Sequence, residues 1–168
     1  MQRTSRLVVC LAMAFWLCAA PAALVGAKPA YDVFSHPSGF KFWLPDDWKV
    51  HGEGDNLSAE DKKGLAAIEI YVPKTIRQFD RAYDDMVKEL GQTMKDLHFD
   101  DPTTTRVGTI DRTLLTGSGV DRKEGVAMEF AIGIYAKNGK LLLVFGVTAA
   151  EYFDNYVEVF KKIIDSVK

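Results

Sequence analysis

The stretch from Val126 to Thr148 constrains the fold more than any other part of the chain. Val126, Met128, Phe130, Ile132 and Ile134 alternate with Ala127, Glu129, Ala131, Gly133 and Tyr135, the two-residue period of a strand. Asn138-Gly139 follows. Both central positions of a type I′ turn need positive φ, and these two residues tolerate it best. The return run, Leu141 to Thr148, is apolar on both faces, so it belongs at the centre of a sheet with a layer packed on each side.

Two amphipathic segments are available as those layers. Ile76, Phe79, Tyr83, Met86, Val87, Leu90, Met94 and Leu97 recur at three- and four-residue steps, which predicts a helix. A Thr75–Gln78 capping box opens it, and Asp101-Pro102 forbids its continuation. Gly91 lies beside the apolar stripe, where glycine costs about 1 kcal/mol against alanine, and is read as a close packing contact. A closing helix, opened by a Thr148–Glu151 capping box, would bury Phe153, Tyr156, Val157, Phe160, Ile163, Ile164 and Val167. Its acids stand near the start and its lysines in the second half, as the helix dipole prefers.

The remaining strands are shorter. Phe40, Phe42 and Leu44 alternate with Lys41 and Trp43 up to Pro45, and Asp46-Asp47 turns the chain into Trp48. A weak strand at Leu57–Glu60 and a turn at Asp61–Gly64 precede a stronger strand, Leu65 to Val72. One face of that strand is wholly apolar; the other carries Glu69 and Tyr71. Arg106–Ile110 and Thr113–Val120 flank a turn at Asp111-Arg112. The order β-β-β-α-β-β-β-β-α, dominated by hairpins, predicts an α+β domain with a largely antiparallel β-sheet covered by two long helices.

Residues 1–27 read as a cleaved signal peptide. Arg3 and Arg6 precede an apolar run, and Val25-Gly26-Ala27 offers small residues at a cleavage site. The competing reading is a retained anchor, since Leu7 to Ala27 carries no charge and is long enough to span a bilayer. Both cysteines, Cys10 and Cys18, lie in this segment, so residues 28–168 have no disulfide, thiolate nucleophile or Cys-ligated metal. Such a domain suits an exported, periplasmic or extracellular bacterial protein. Residues 28–38 read as an extended lead-in and residues 39–168 as a single domain. The chain has 21 basic and 23 acidic residues, a net charge of −2, which argues against a nucleic-acid footprint and leaves membrane contact to a retained leader.

The segment Phe34-Ser35-His36-Pro37-Ser38-Gly39-Phe40-Lys41-Phe42-Trp43-Leu44-Pro45-Asp46-Asp47-Trp48, together with the closing hairpin and helix, resembles the PsbP-like family. Its members open with glycine-aromatic-x-aromatic, then a proline and a tryptophan. They include the extrinsic protein of photosystem II and DcrB-type bacterial envelope proteins. The resemblance implies an α-β-α sandwich and a non-enzymatic accessory or binding role. It supplies no catalytic residues to carry over, and the plant members' metal and photosystem contacts find no matching motif here.

No catalytic, metal or cofactor set stands out. His36, His51 and His98 have no ligand spacing and read as unrelated surface or capping residues. The acidic pairs lack the alternation of a calcium loop. Thr116-Gly117-Ser118-Gly119 matches neither a phosphate loop nor a nucleophile elbow; its small residues suit a strand approached closely by another surface, or a ligand groove. Trp43 should point away from Phe40 and Phe42, so Trp43, Trp48 and Tyr71 form a candidate contact patch, with Gly117, Ser118 and Gly119 beside it and Arg112 as a possible anionic-ligand rim. The leading expectation is a non-catalytic envelope protein that binds a protein partner. A small-ligand carrier with a groove between sheet and helix is the alternative, and a small hydrolase pairing Ser or Asp with a histidine is the third.

Overall fold

The computed structural model describes residues 30–73 and 79–168, so the leader and the Thr75–Gln78 capping box lie outside the described residues. In chain order the elements are β1 (Tyr31–Ser35), β2 (Lys41–Pro45), β3 (Lys49–Glu53), β4 (Asn56–Glu60), β5 (Ala66–Tyr71), α1 (Phe79–Thr93), β6 (Met94–Phe99), β7 (Thr103–Val107), β8 (Ile110–Asp121), β9 (Ala127–Lys137), β10 (Lys140–Ala149) and α2 (Phe153–Asp165).

The β9–β10 hairpin forms as its sequence dictates, with Asn138 at φ 52° and Gly139 at φ 73°. Every residue from Leu141 to Ala149 is buried, and β10 lies between β5 and β9 in a sheet ordered β3-β4-β5-β10-β9-β8-β6, with β7 also on β8. All of these pairings are antiparallel. One face packs Ile68, Ile70, Leu142 and Val144 against Phe160 and Ile163 of α2 and Phe42 and Leu44 of β2. The other packs Phe130, Ile132, Leu143 and Val147 beneath Ala82 and Met86 of α1. Glycine admits α2 closely: a Cβ on Gly146 would sit 2.7 Å from the Phe160 ring.

Several elements depart from the sequence reading, each for a local reason. The first helix is shorter than expected, because α1 ends at Thr93 and Met94–Phe99 is a strand. A register shift between Lys95 and His98 bulges β6, and Asp96 takes φ 53°. A bulge adds one residue, so the three-residue step from Met94 to Leu97 belongs to a bulged strand and only looks helical. Gly91 has nothing within 4 Å of a built Cβ; instead its carbonyl, with that of Met94, accepts from Arg122 Nε at 3.2 and 2.9 Å, which closes the helix end. The Thr148–Glu151 capping box does not form. Thr148 stays in β10 and donates to the Leu65 carbonyl at 2.6 Å, while α2 starts after a 3-10 turn at Ala150–Tyr152 with no side-chain cap. The turn read at Asp111-Arg112 lies three residues earlier, at Gly108-Thr109, where Gly108 takes φ 63°. Besides β6, two further strands went unread: β3, and β1 within the extended lead-in.

Candidate functional site

Pro37, Ser38 and Gly39 turn β1 into β2, with Gly39 at φ 94°. The His36 amide donates to Phe40 O at 2.8 Å and the Asp46 amide to Ala30 O at 3.0 Å. In an antiparallel pair, hydrogen-bonded and non-bonded positions alternate, so these two bonds set the parity for the whole register. Phe34 and Phe42 turn inward and stack at 6.2 Å between ring centroids. Val33 lies directly opposite Trp43 at a non-bonded, closely spaced position, and both are exposed, at 65% and 37%.

The end of α2 fixes the other edge of β2. Trp43 N donates to Ser166 Oγ at 2.8 Å, Ser166 Oγ donates to Ile163 O at 2.6 Å, and Lys41 and Lys168 exchange two backbone bonds at 2.9 Å each. Lysines then lie over the aromatic rings: Lys162 Nζ is 3.6 Å from the Tyr31 centroid and Lys168 Nζ 5.8 Å from that of Trp43. These are cation–π geometries. An open groove of about 580 Å³ runs between this outer face and α2, lined by Tyr31, Trp43, Val159, Lys162, Asp165 and Lys168. Burial and the charge of Asp47 hold the Tyr31 hydroxyl above its usual range.

Of the residues singled out in the sequence, Trp43 and Arg112 converge on the last turn of α2. Arg112 pairs with Asp165 at 3.0 Å and donates through Nε to Thr105 Oγ1 at 2.9 Å, so it is committed internally and forms no open rim. Trp48 does not share the Trp43 surface. It is 8% exposed, edge-on to Tyr156 and Phe160 at 6.4 Å each, because the turn after Pro45 carries it under α2. Tyr71 lies on the opposite face, beneath α1. Gly117 and Gly119 serve strand packing: a Cβ on Gly117 would collide with His98 O and the Phe130 ring, and one on Gly119 would meet Leu97 at 3.0 Å. Ser118 sits between them, opposite His98 on β6. Tyr31, Val33, Lys162 and Lys168 were missed. The signal for Val33 was the register implied by the turn at His36–Gly39; the lysines reach the site only through tertiary folding.

The space under α1 is small. A cavity of about 40 Å³ is lined by Glu69, Tyr71, Met86, Glu89, Leu143 and Phe145, well below the several hundred Å³ of a ligand pocket. Burial there raises the pKa values of Glu69, Glu89 and Tyr71 above their usual ranges, and neighbouring carboxylates push Glu89 and Tyr71 further up.

The histidines also differ from expectation. His36 is 3% exposed, whereas His98 belongs to a strand and His51 to an exposed strand edge. His36 Nδ1 lies 2.6 Å from Ser38 Oγ and accepts the Ser38 amide at 3.2 Å. This is a serine–histidine distance within reach of proton transfer, but it is a contact inside one turn. His36 Nε2 is buried and makes no well-formed hydrogen bond among the described residues, with the backbone and carboxylate of Asp55 acting on the ring. No group of three or more metal-binding side chains occurs among the described residues, and no described helix is long and apolar enough to cross a membrane.

No family model and no curated protein sequence matches the chain. Solved structures do. The cyanobacterial PsbP protein CyanoP of Synechocystis sp. PCC 6803 aligns with TM-score 0.63 at 14% identity, covering 89% of this chain and 97% of that one. LpqN, involved in cell envelope biogenesis of Mycobacterium tuberculosis, aligns with TM-score 0.50 at 12% identity, covering 84% and 91%. At such identities the likeness is one of fold: the chain has the PsbP-like fold.

Proposed function

We propose that this chain, with its PsbP-like fold, is an exported, non-catalytic accessory protein that binds a protein partner through the outer face of the β1–β2 sheet. The observation that carries this reading is the exposed Val33–Trp43 pair. Large aromatic side chains are enriched where proteins meet, and this one is held by a rigid backbone contact to Ser166. The lysines beside it give the face a charge opposite to that of the chain as a whole. Export is supported by the leader sequence and by the absence of cysteine after Cys18. The accessory role accords with the PsbP and envelope-biogenesis neighbours. The space under α1 is too small for a carried ligand, and the larger groove beside Trp43 is an open surface cleft, which suits a partner's chain as well as a small ligand.

Affinity capture from envelope extract tests the proposal, comparing wild type with Trp43→Ala and with Val107→Ala, a change at an exposed valine on β7. A saturable partner retained by wild type and Val107→Ala and lost with Trp43→Ala is expected. Equal retention by all three contradicts it.

A further inference from the structure

We propose that β1 is a docking edge, along which an extended segment of the partner protein, with apolar and acidic residues taking turns at every second position, pairs as a third strand of the β1–β2 sheet. The proposal rests on the reading of the Trp43 face as a contact surface and adds the partner's conformation and chemistry to it.

The parity of the register carries the argument. Ala30 and His36 bond across to Asp46 and Phe40, so the even-numbered residues of β1 direct their backbone groups toward β2. On β2, the odd-numbered Lys41 and Trp43 bond outward, to Lys168 and Ser166, as that parity requires. The amides and carbonyls of Tyr31, Val33 and Ser35 therefore point off the sheet, and among the described residues no strand lies beside them. An unpaired row of this kind is a template for a strand.

The other edges are blunted. On β3, Gly52 takes φ 96°; β6 is bulged at Asp96; β7 is exposed along its whole length and has no aromatic residue. Among the described residues, only β1 combines a regular register with an exposed apolar pair.

Charge selects the occupant. Glu158 pairs with Lys161 at 2.8 Å and Asp165 with Arg112 at 3.0 Å. Lys162 and Lys168, over the Tyr31 and Trp43 rings, have no carboxylate partner among the described residues. An added strand would set alternate side chains on the Trp43 side, where an apolar residue meets Val33 and an acidic one meets Lys162.

The test uses protein expressed from the full chain and three blocked hexapeptides: one with valine and glutamate in turn at every second position and serine between them (Val-Ser-Glu-Ser-Val-Ser), so that both types share one face, its fully N-methylated form, and one with lysine in place of the glutamate. NMR titration and amide hydrogen exchange read the outcome. The valine–glutamate peptide is expected to bind saturably, to slow exchange at Tyr31, Val33 and Ser35, and to bind more tightly than the valine–lysine peptide. The N-methylated form, which lacks backbone donors, is expected not to bind. Val33→Pro removes an outward donor but no β1–β2 hydrogen bond, as proline permits on an edge strand, and is expected to abolish binding. Val33→Glu, which keeps the donor and adds a like charge, is expected to weaken binding and serves if the proline variant fails to fold. Equal binding of the N-methylated peptide, binding without protection at the three amides, or no binding of the valine–glutamate peptide overturns the proposal. So does concentration-dependent protection without peptide, which would make a second copy the occupant. A partner captured through Trp43 and retained by folded Val33→Pro would overturn the edge proposal alone and leave the surface reading intact.

Discussion

Ser166 uses one hydroxyl twice, accepting the Trp43 amide and donating to the Ile163 carbonyl, in a site that is itself buried. Ser166→Ala leaves the amide of β2 without its acceptor, and an orphaned buried polar group costs about 1–3 kcal/mol. Urea denaturation is expected to show a loss in that range, with faster hydrogen exchange at the Trp43 amide. His36 and Glu69 give pH signatures of opposite sign. Burial lowers the pKa of His36, opposed in part by the backbone and charge of Asp55. The unfolded chain therefore takes up a proton near the ordinary value of 6.5 while the folded ring resists it. Stability should be level above that pH and fall as the pH drops below it, a dependence that His36→Gln removes. Burial raises the pKa of Glu69, so its charged form burdens the folded state at neutral pH and protonation relieves it on acidification. Glu69→Gln is expected to stabilise the protein at pH 7, with the gain shrinking toward pH 4.5 in parallel melts.

At the scale of elements, contact between α2 and the sheet depends on a missing side chain. Gly146→Ala would drive a methyl into the Phe160 ring, and overpacking of this kind typically costs about 1–3 kcal/mol. The check is a lowered melting temperature, with partial recovery when Phe160→Leu is added. The same elements show what could be read from sequence and what could not. The β9–β10 hairpin was legible because its signals are local, an alternating strand and an Asn-Gly turn. The outward aim of Trp43 was legible for the same reason. The strand β6 was not, since a bulge turns a two-residue period into the three-residue step of a helix. Nor was β3, where Gly52 and Gly54 imitate a loop. The separation of Trp48 from Trp43 depends on α2 arriving more than a hundred residues later along the chain, and no local pattern encodes it.

Across the whole molecule, a double-faced sheet fills both cores with apolar side chains and leaves one small sheet as its most distinctive surface. No cysteine occurs after Cys18, so the melting temperature of residues 28–168 should be unchanged by a reducing agent. The same arrangement accounts for where binding is placed. The two faces of the central strands are covered, whereas the outer side of β1–β2 presents Val33 and Trp43 beside two lysines. Site-specific photo-crosslinking in intact cells tests that assignment most directly, with the photoreactive residue placed in turn at positions 33, 43, 50 and 107, all of them exposed hydrophobic sites. One discrete adduct is expected from positions 33 and 43 and none from 50 or 107. Adducts of equal strength from all four, or from 50 or 107 alone, would contradict the assignment of this face as the contact surface.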